Sequence, residues 1–198
     1  MMIYQLLRKS ARVVLLAVVT LGFTTISSPA VQVQAAAIST KAPLTAETQA
    51  LQTLNSFYKP ALQGQFPGAV KGLTIGVSTR QDVIKKIGES EAPGEDADAF
   101  DVYHAEMGHP GYAIAYKLNR IRELRYFGTN VERQTNIGGI TLKMVKQQWG
   151  APSASKTINN GKLVQNKVDY IRGNYVLSFI FNSSTDLDHI NLTKKIVK

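Results

Sequence analysis

Ile75-Gly76-Val77-Ser78-Thr79-Arg80-Gln81-Asp82-Val83-Ile84-Lys85-Lys86-Ile87-Gly88 is answered further along the chain by Gly138-Gly139-Ile140-Thr141-Leu142-Lys143-Met144-Val145-Lys146-Gln147-Gln148-Trp149-Gly150. In both stretches a glycine, an apolar residue and a Ser or Thr open a short helix. Val83 or Val145 sits at its centre, and an apolar–Gly pair closes it. Gly76 and Gly139 are 63 residues apart, as are Tyr112 and Tyr175 downstream. A repeated unit decides architecture, because each copy is too small to bury its apolar face alone.

Working outward, Ser78 has the position of an N-cap, and Ser78 to Gln81 has capping-box spacing. Val83, Ile84 and Ile87 form the inward stripe, and Gly88 supplies a left-handed exit. Thr141 caps the second helix, whose inward residues are Leu142, Val145 and Trp149, and Gly150-Ala151-Pro152 ends it. After the first helix comes an acidic loop (89–98), then three aromatic and β-branched runs at 100–104, 112–118 and 121–127. Asn119-Arg120 reads as the two-residue turn between the last two, and 105–111 as a longer loop. After the second helix the runs are 164–171, 175–181 and 187–192. A three-stranded sheet with one helix is marginal. The expectation is therefore an α+β domain over 68–198, built from two helix–meander repeats (68–130 and 131–198). They join into one mainly antiparallel sheet with helices on one face. An N-terminal helix precedes it at 45–58, capped by Thr45, with Leu51, Leu54 and Tyr58 inward and Pro60 ending or kinking it. Residues 36–44 read as a flexible stretch.

Residues 1–35 read as a secretory signal. Arg8, Lys9 and Arg12 form a basic n-region before the apolar run 13–23, and Val33-Gln34-Ala35 offers small residues for cleavage before Ala36. The run is short of the roughly 20 apolar residues that a spanning helix needs. No membrane association is expected after cleavage. The remaining 163 residues are enough for one domain that buries roughly 68–70% of its unfolded surface. The chain has no Cys. That excludes a Cys nucleophile, thiolate metal sites and iron–sulfur clusters, and with export it points to a Gram-positive setting.

Removing Arg8, Lys9 and Arg12 takes the net charge from +9 to +6. Residues 68–130 carry eight Lys/Arg against nine Asp/Glu, and 131–198 carry ten against four, so the second repeat is the basic one. An anionic wall polymer is a partner of matching charge. Nucleic acid is not expected, for want of a basic–aromatic motif.

Catalytic signals are weak. His104, His109 and His189 are the neutral-pH bases, and neither His-Glu-x-x-His nor Gly-x-Ser-x-Gly occurs. Asp96-x-Asp98-x-x-Asp101 lacks the remaining ligands of a calcium loop. Catalytic residues, metal ligands and cofactors are each expected to be none. Tyr103, Tyr112, Tyr116, Arg122, Arg125, Tyr126, Tyr170, Arg172 and Tyr175 fall on or beside strands, and Tyr and Arg are enriched in binding hot spots. They form the candidate binding surface. The bland alternative is that the tyrosines are half-buried sheet residues.

The doubled Gly-apolar-Ser/Thr…Val…apolar-Gly helix with its strand meander, over residues 68–192, resembles β-lactamase-inhibitor-protein-like folds. A single unit is similar to the SmpA/OmlA-type outer-membrane assembly lipoproteins. The whole chain resembles the YjgB-like secreted proteins of Bacillus-type bacteria, a family with a domain of unknown function. For function the resemblance implies little beyond the inhibitor-like relatives' use of a concave sheet surface to bind an enzyme. The expectation is a secreted, non-catalytic binding module that recognises an extracellular protein over its exposed sheet face in an inhibitor-like or accessory role. Retention at the cell wall and an unrecognised hydrolase are the alternatives. Oligomeric state is not legible in the sequence.

Overall fold

The last strand of the chain joins its two halves. In the computed structural model, which describes residues 45–96, 98–105, 109–129, 137–159 and 161–196, the strands are β1 (Phe100–Tyr103), β2 (Gly111–Lys117), β3 (Arg120–Gly128), β4 (Ala154–Asn159), β5 (Val164–Arg172), β6 (Tyr175–Ser183) and β7 (Asp186–Lys194). They form one open antiparallel sheet in the order β1-β2-β3-β7-β6-β5-β4. The seam is β3 against β7, with Leu124 opposite Leu192 and Tyr126 opposite Ile190. The α+β class and the single large antiparallel sheet are as the sequence implies. The secretory and flexible stretches read at 1–44 lie outside the described residues. Among the described residues, no helix is long and apolar enough to cross a membrane.

The helices are α1 (Ala46–Ser56), the single turn α2 (Tyr58–Ala61), α3 (Arg80–Ile87) and α4 (Leu142–Trp149). Thr45 caps α1 as expected, accepting the Thr48 amide. The break after α1 falls at Phe57, not at Pro60. Pro60 instead lies inside the first turn of α2, where its missing N–H leaves no bond unmade. Tyr58 is consequently exposed, while Ala50, Leu54 and Phe57 point inward. At α3 the cap is Thr79, one residue beyond Ser78, in a reciprocal box with Asp82. Ser78 Oγ instead accepts the Thr74 amide, closing the preceding turn. Thr141 caps α4 through the Met144 amide, as expected.

Val83, Val145, Ala50 and Leu54 from the helices share one core with Tyr112, Ile114, Leu124, Tyr170, Leu177, Phe179, Ile190 and Leu192 from the strands. These strand residues alternate along each strand, as one sheet face requires. Phe179 meets Trp149 and Tyr170 edge to face. The opposite face bears cross-strand rows such as Val102–Ala113–Arg125–Asn191–Ser178–Asp169.

Two strand features differ from the sequence reading. The β2–β3 turn is Leu118-Asn119, not Asn119-Arg120, and both residues have positive φ (50° and 58°). β4 has no counterpart in the sequence reading. Its residues are nearly all exposed, so no buried alternation marks it.

Gly64 has φ +70°, and a Cβ there would meet the Tyr175 ring at 2.4 Å. Gly64→Ala is expected to destabilise the fold by about 2–3 kcal/mol in urea unfolding, from left-handed strain plus displacement of that ring.

Candidate functional site

The β2–β3 turn sits against the start of α3. Ile121 N–H donates to the Ser78 carbonyl (2.9 Å), Gly76 N–H to the Ile121 carbonyl (2.7 Å) and Arg120 Nη1 to the Val77 carbonyl (2.6 Å). This dock brings Arg80, the first residue of α3, over the Tyr116 ring at 4.5 Å from its centroid. Arg80 Nη1 reaches Asp101 Oδ1 at 2.9 Å, and the same oxygen accepts the Gly94 amide at 2.9 Å. The Asp101 side chain is only 3% exposed. Its charge is held inside by two donors, as a buried carboxylate requires.

A bulge supplies the next residue. Ala115 faces Glu123 and Tyr116 faces Ile121, leaving Arg122 as the extra residue in β3. Arg122 donates through Nη1 to Asp98 Oδ1 and through Nη2 to the Asp98 carbonyl, both at 2.8 Å. Its Nε is buried with no partner. Arg80, Asp96, Asp98, Tyr116, Lys117, Leu118, Asn119 and Arg122 line a cleft of about 430 Å³. Leu118 stands at its rim, 91% exposed and left-handed. A bulky residue in that backbone region costs on the order of 1–3 kcal/mol and marks sites where strain serves function.

Tyr103 and Tyr116 are buried with their hydroxyls against each other. Burial, followed by the nearby Asp101 charge, raises the Tyr103 phenol above its ordinary range. Burial, then Tyr103 and Asp101, pushes Tyr116 well above it. Both stay protonated and can donate.

The nine candidate surface residues do not share one exposed face. Tyr103, Tyr112, Tyr116 and Tyr170 are buried, and Tyr126 packs against the core beside Phe57 and Tyr112. Arg172 lies 3.5 Å from the Tyr58 ring centroid, and Tyr175 packs against the core next to Gly64. Arg125 is on the helix-free face, stacked on Phe100 (4.0 Å) and paired with Glu123 (2.8 Å). Tyr116 and Arg122 are the pair that lines the cleft. Period-two alternation shows which residues share a face, but not which face receives the helices.

The acidic run is dispersed over separate partners. Asp96 Oδ1 accepts the Asp98 and Ala99 amides, Asp98 takes Arg122, and Asp101 takes Arg80. Among the described residues no group of three ligand-type side chains converges. His104 bonds exposed Glu91 at 2.7 Å. At the β6–β7 bulge, Ile180 faces His189 and Phe181 faces Leu187, so Asp188 is the extra residue and its carboxylate reaches His189 Nδ1. Asn182 donates to both Asp188 and Asp186.

Two variants test this geometry. Leu118→Gly relieves the left-handed strain and is expected to raise stability by about 1 kcal/mol in thermal unfolding. The hydrogen bond from His189, followed by that from Asn182, holds the Asp188 carboxyl below its ordinary value. A depressed folded pKa contributes stability in full above the unfolded value, near ~3.9, and that contribution is lost as pH falls through the folded one. Asp188→Asn is therefore expected to flatten the acid limb of a stability–pH curve below pH ~4.

Comparison with known proteins places this architecture. A family model described as a domain of unknown function, DUF4309, matches residues 54–193. The chain is 36% identical over 177 residues to the uncharacterised protein YjgB of Bacillus subtilis (strain 168), covering 88% of this chain and 89% of that one. A crystal structure of a DUF4309 family protein, YjgB of the same species, superposes with a TM-score of 0.67 at 36% identity, over 74% of this chain and 99% of that one. With its sheet order, its α3-docked turn and these matches in hand, the chain belongs to the DUF4309 family.

Proposed function

We infer that the protein is a non-catalytic binding module acting outside the cell, and that it recognises another protein through the Arg80–Tyr116–Arg122 cleft. The observation that carries this reading is a cleft in which the Arg80–Tyr116 stack and a buried, unpartnered Arg122 Nε lie beneath a strained and exposed Leu118. Buried polar groups normally find partners. Asp98, 88% exposed in its side chain, already models the chemistry by setting a carboxylate on Arg122. A partner loop with an acidic side chain beside an apolar one suits Arg122, Lys117 and Leu118 together. In this reading the two halves of the sheet are copies of one helix–meander unit, and the first copy carries the recognition site. Export rests on the basic and apolar start of the chain.

A second reading rests on the basic half. Lys143 and Lys146 line a shallow groove with Leu142, Gln147 and Ser184, on the side of the chain that carries the excess of lysines. That surface suits anionic wall polymer.

The test is capture from culture medium and washed cell wall at low salt, with the wild type compared to Arg122→Ala and Leu118→Asp. A partner held by the wild type is expected to bind each variant roughly tenfold more weakly, a hot-spot-sized loss. No protein captured, or equal capture by all three, would sink the recognition reading. Retention on wall that falls steeply with added salt, and is indifferent to Arg122, supports the second reading instead.

A further inference from the structure

The sheet has two edges, and they are finished differently. At β1 the preceding loop closes the edge. Ala92 N–H donates to the Val102 carbonyl (3.4 Å) and Val102 N–H to the Ala92 carbonyl (2.9 Å). Ser90 Oγ donates to the same Val102 carbonyl at 2.8 Å. At the far edge, β4 pairs with β5 alone among the described residues, and Ala154, Ser155, Lys156, Thr157 and Asn159 are exposed.

The direction of β4's backbone groups follows from its neighbours. Ser153 N–H donates to the Asp169 carbonyl at 2.7 Å, which turns Asp169 toward β4, where Ala154 is its partner. Arg172 and Tyr175 close the two-residue turn between β5 and β6, so even-numbered β5 residues face β6 and odd-numbered ones face β4. Direction alternates along an antiparallel ladder. Ala154, Lys156 and Ile158 therefore spend their amides and carbonyls on β5. Ser155, Thr157 and Asn159 present theirs at the open edge, a template for one more strand.

We propose that this edge is occupied by β4 of a second copy, antiparallel about a two-fold axis through Thr157, merging the two sheets into one. Side chains directly opposite in an antiparallel pair share a face, so the axis must pass through a residue position and not between two. With the axis at Thr157, Thr157 meets Thr157, Ser155 meets Asn159, and Lys156 meets Ile158. Every outward-facing residue then finds an outward-facing partner, and the cross-strand pairs are hydroxyl with hydroxyl, hydroxyl with amide, and a lysine stem along an isoleucine. An axis at Lys156 sets two ammonium groups face to face and leaves Asn159 without a partner. An axis at Ile158 leaves Ser155 without one. The strand is self-complementary in one register.

Because the chain has no Cys, single cysteines test that register. Thr157→Cys is expected to form a disulfide-linked dimer at least roughly tenfold faster than Ser155→Cys or Asn159→Cys. At ~3.3 Å per residue those two would sit about 13 Å from their own copies, beyond disulfide reach. Sedimentation of the purified wild type is expected to show a dimer growing in over roughly 10–100 µM, as a small interface implies. Thr157→Pro removes an outward amide while leaving the β5 ladder intact, and is expected to abolish that dimer without lowering the thermal midpoint. A monomer at every concentration, equal cross-linking at all three positions, or a dimer that survives Thr157→Pro would overturn the proposal. Should the proline lower the thermal midpoint, the cysteine series decides alone.

Discussion

Everything in this fold depends on the four-residue seam between β3 and β7. Glu123, Leu124, Arg125 and Tyr126 face Thr193, Leu192, Asn191 and Ile190. Without it the chain would be a three-stranded and a four-stranded sheet with two separate, smaller cores. With it, Leu124, Ile190 and Leu192 sit at the middle of a core that also takes Val83 from one helix and Val145 from another. The strand that makes the seam is the last in sequence. The pairing joins residues 64 to 70 positions apart, and loop closure must be met before the contact is gained.

The candidate cleft is a by-product of how that sheet ends. α3 is anchored by the Thr79–Asp82 box at its start and by the Ile121–Ser78 backbone bond from β3. Those two constraints set Arg80 over Tyr116, and Asp101 then needs Arg80 and the Gly94 amide to be tolerable inside. The bulge at Arg122 is a local departure from ideal strand geometry, and Leu118 is a bulky residue at a left-handed turn position that favours Asn or Gly; both lie at the cleft. Departures from local rules of this kind gather where structure serves something other than stability.

Much of the scaffold was legible because its signals are local. Thr45, Thr141, Gly88 and Gly150 punctuate helices through hydrogen bonds and backbone freedom that span a few residues. Six strands stood out through aromatic and β-branched runs. The errors have equally local causes. Ser78 and Thr79 are both competent caps, and only the fold turns Ser78 toward Thr74. Asn119 belongs in the turn, but its neighbour there is Leu118, which no turn preference favours. Strand β4 carries no buried face, so no periodicity could announce it.

The candidate surface shows the same boundary more sharply. Tyr116 and Arg122 share their residue types with Tyr103, Tyr112 and Tyr170 and with Arg172, yet the first two line the cleft while the other tyrosines are buried in the core. By itself the sequence determined the α+β class, the main helices and the six strands other than β4, the absence of thiol chemistry and the basic tilt of the second half, all properties of near neighbours or of composition. The tertiary structure alone decided which sheet face receives the helices, which tyrosine lines the cleft, and that among the described residues one sheet edge is closed while the other is left open. Those outcomes depend on long-range pairing and on two bulges, where a single extra residue turns a side chain to a different neighbour.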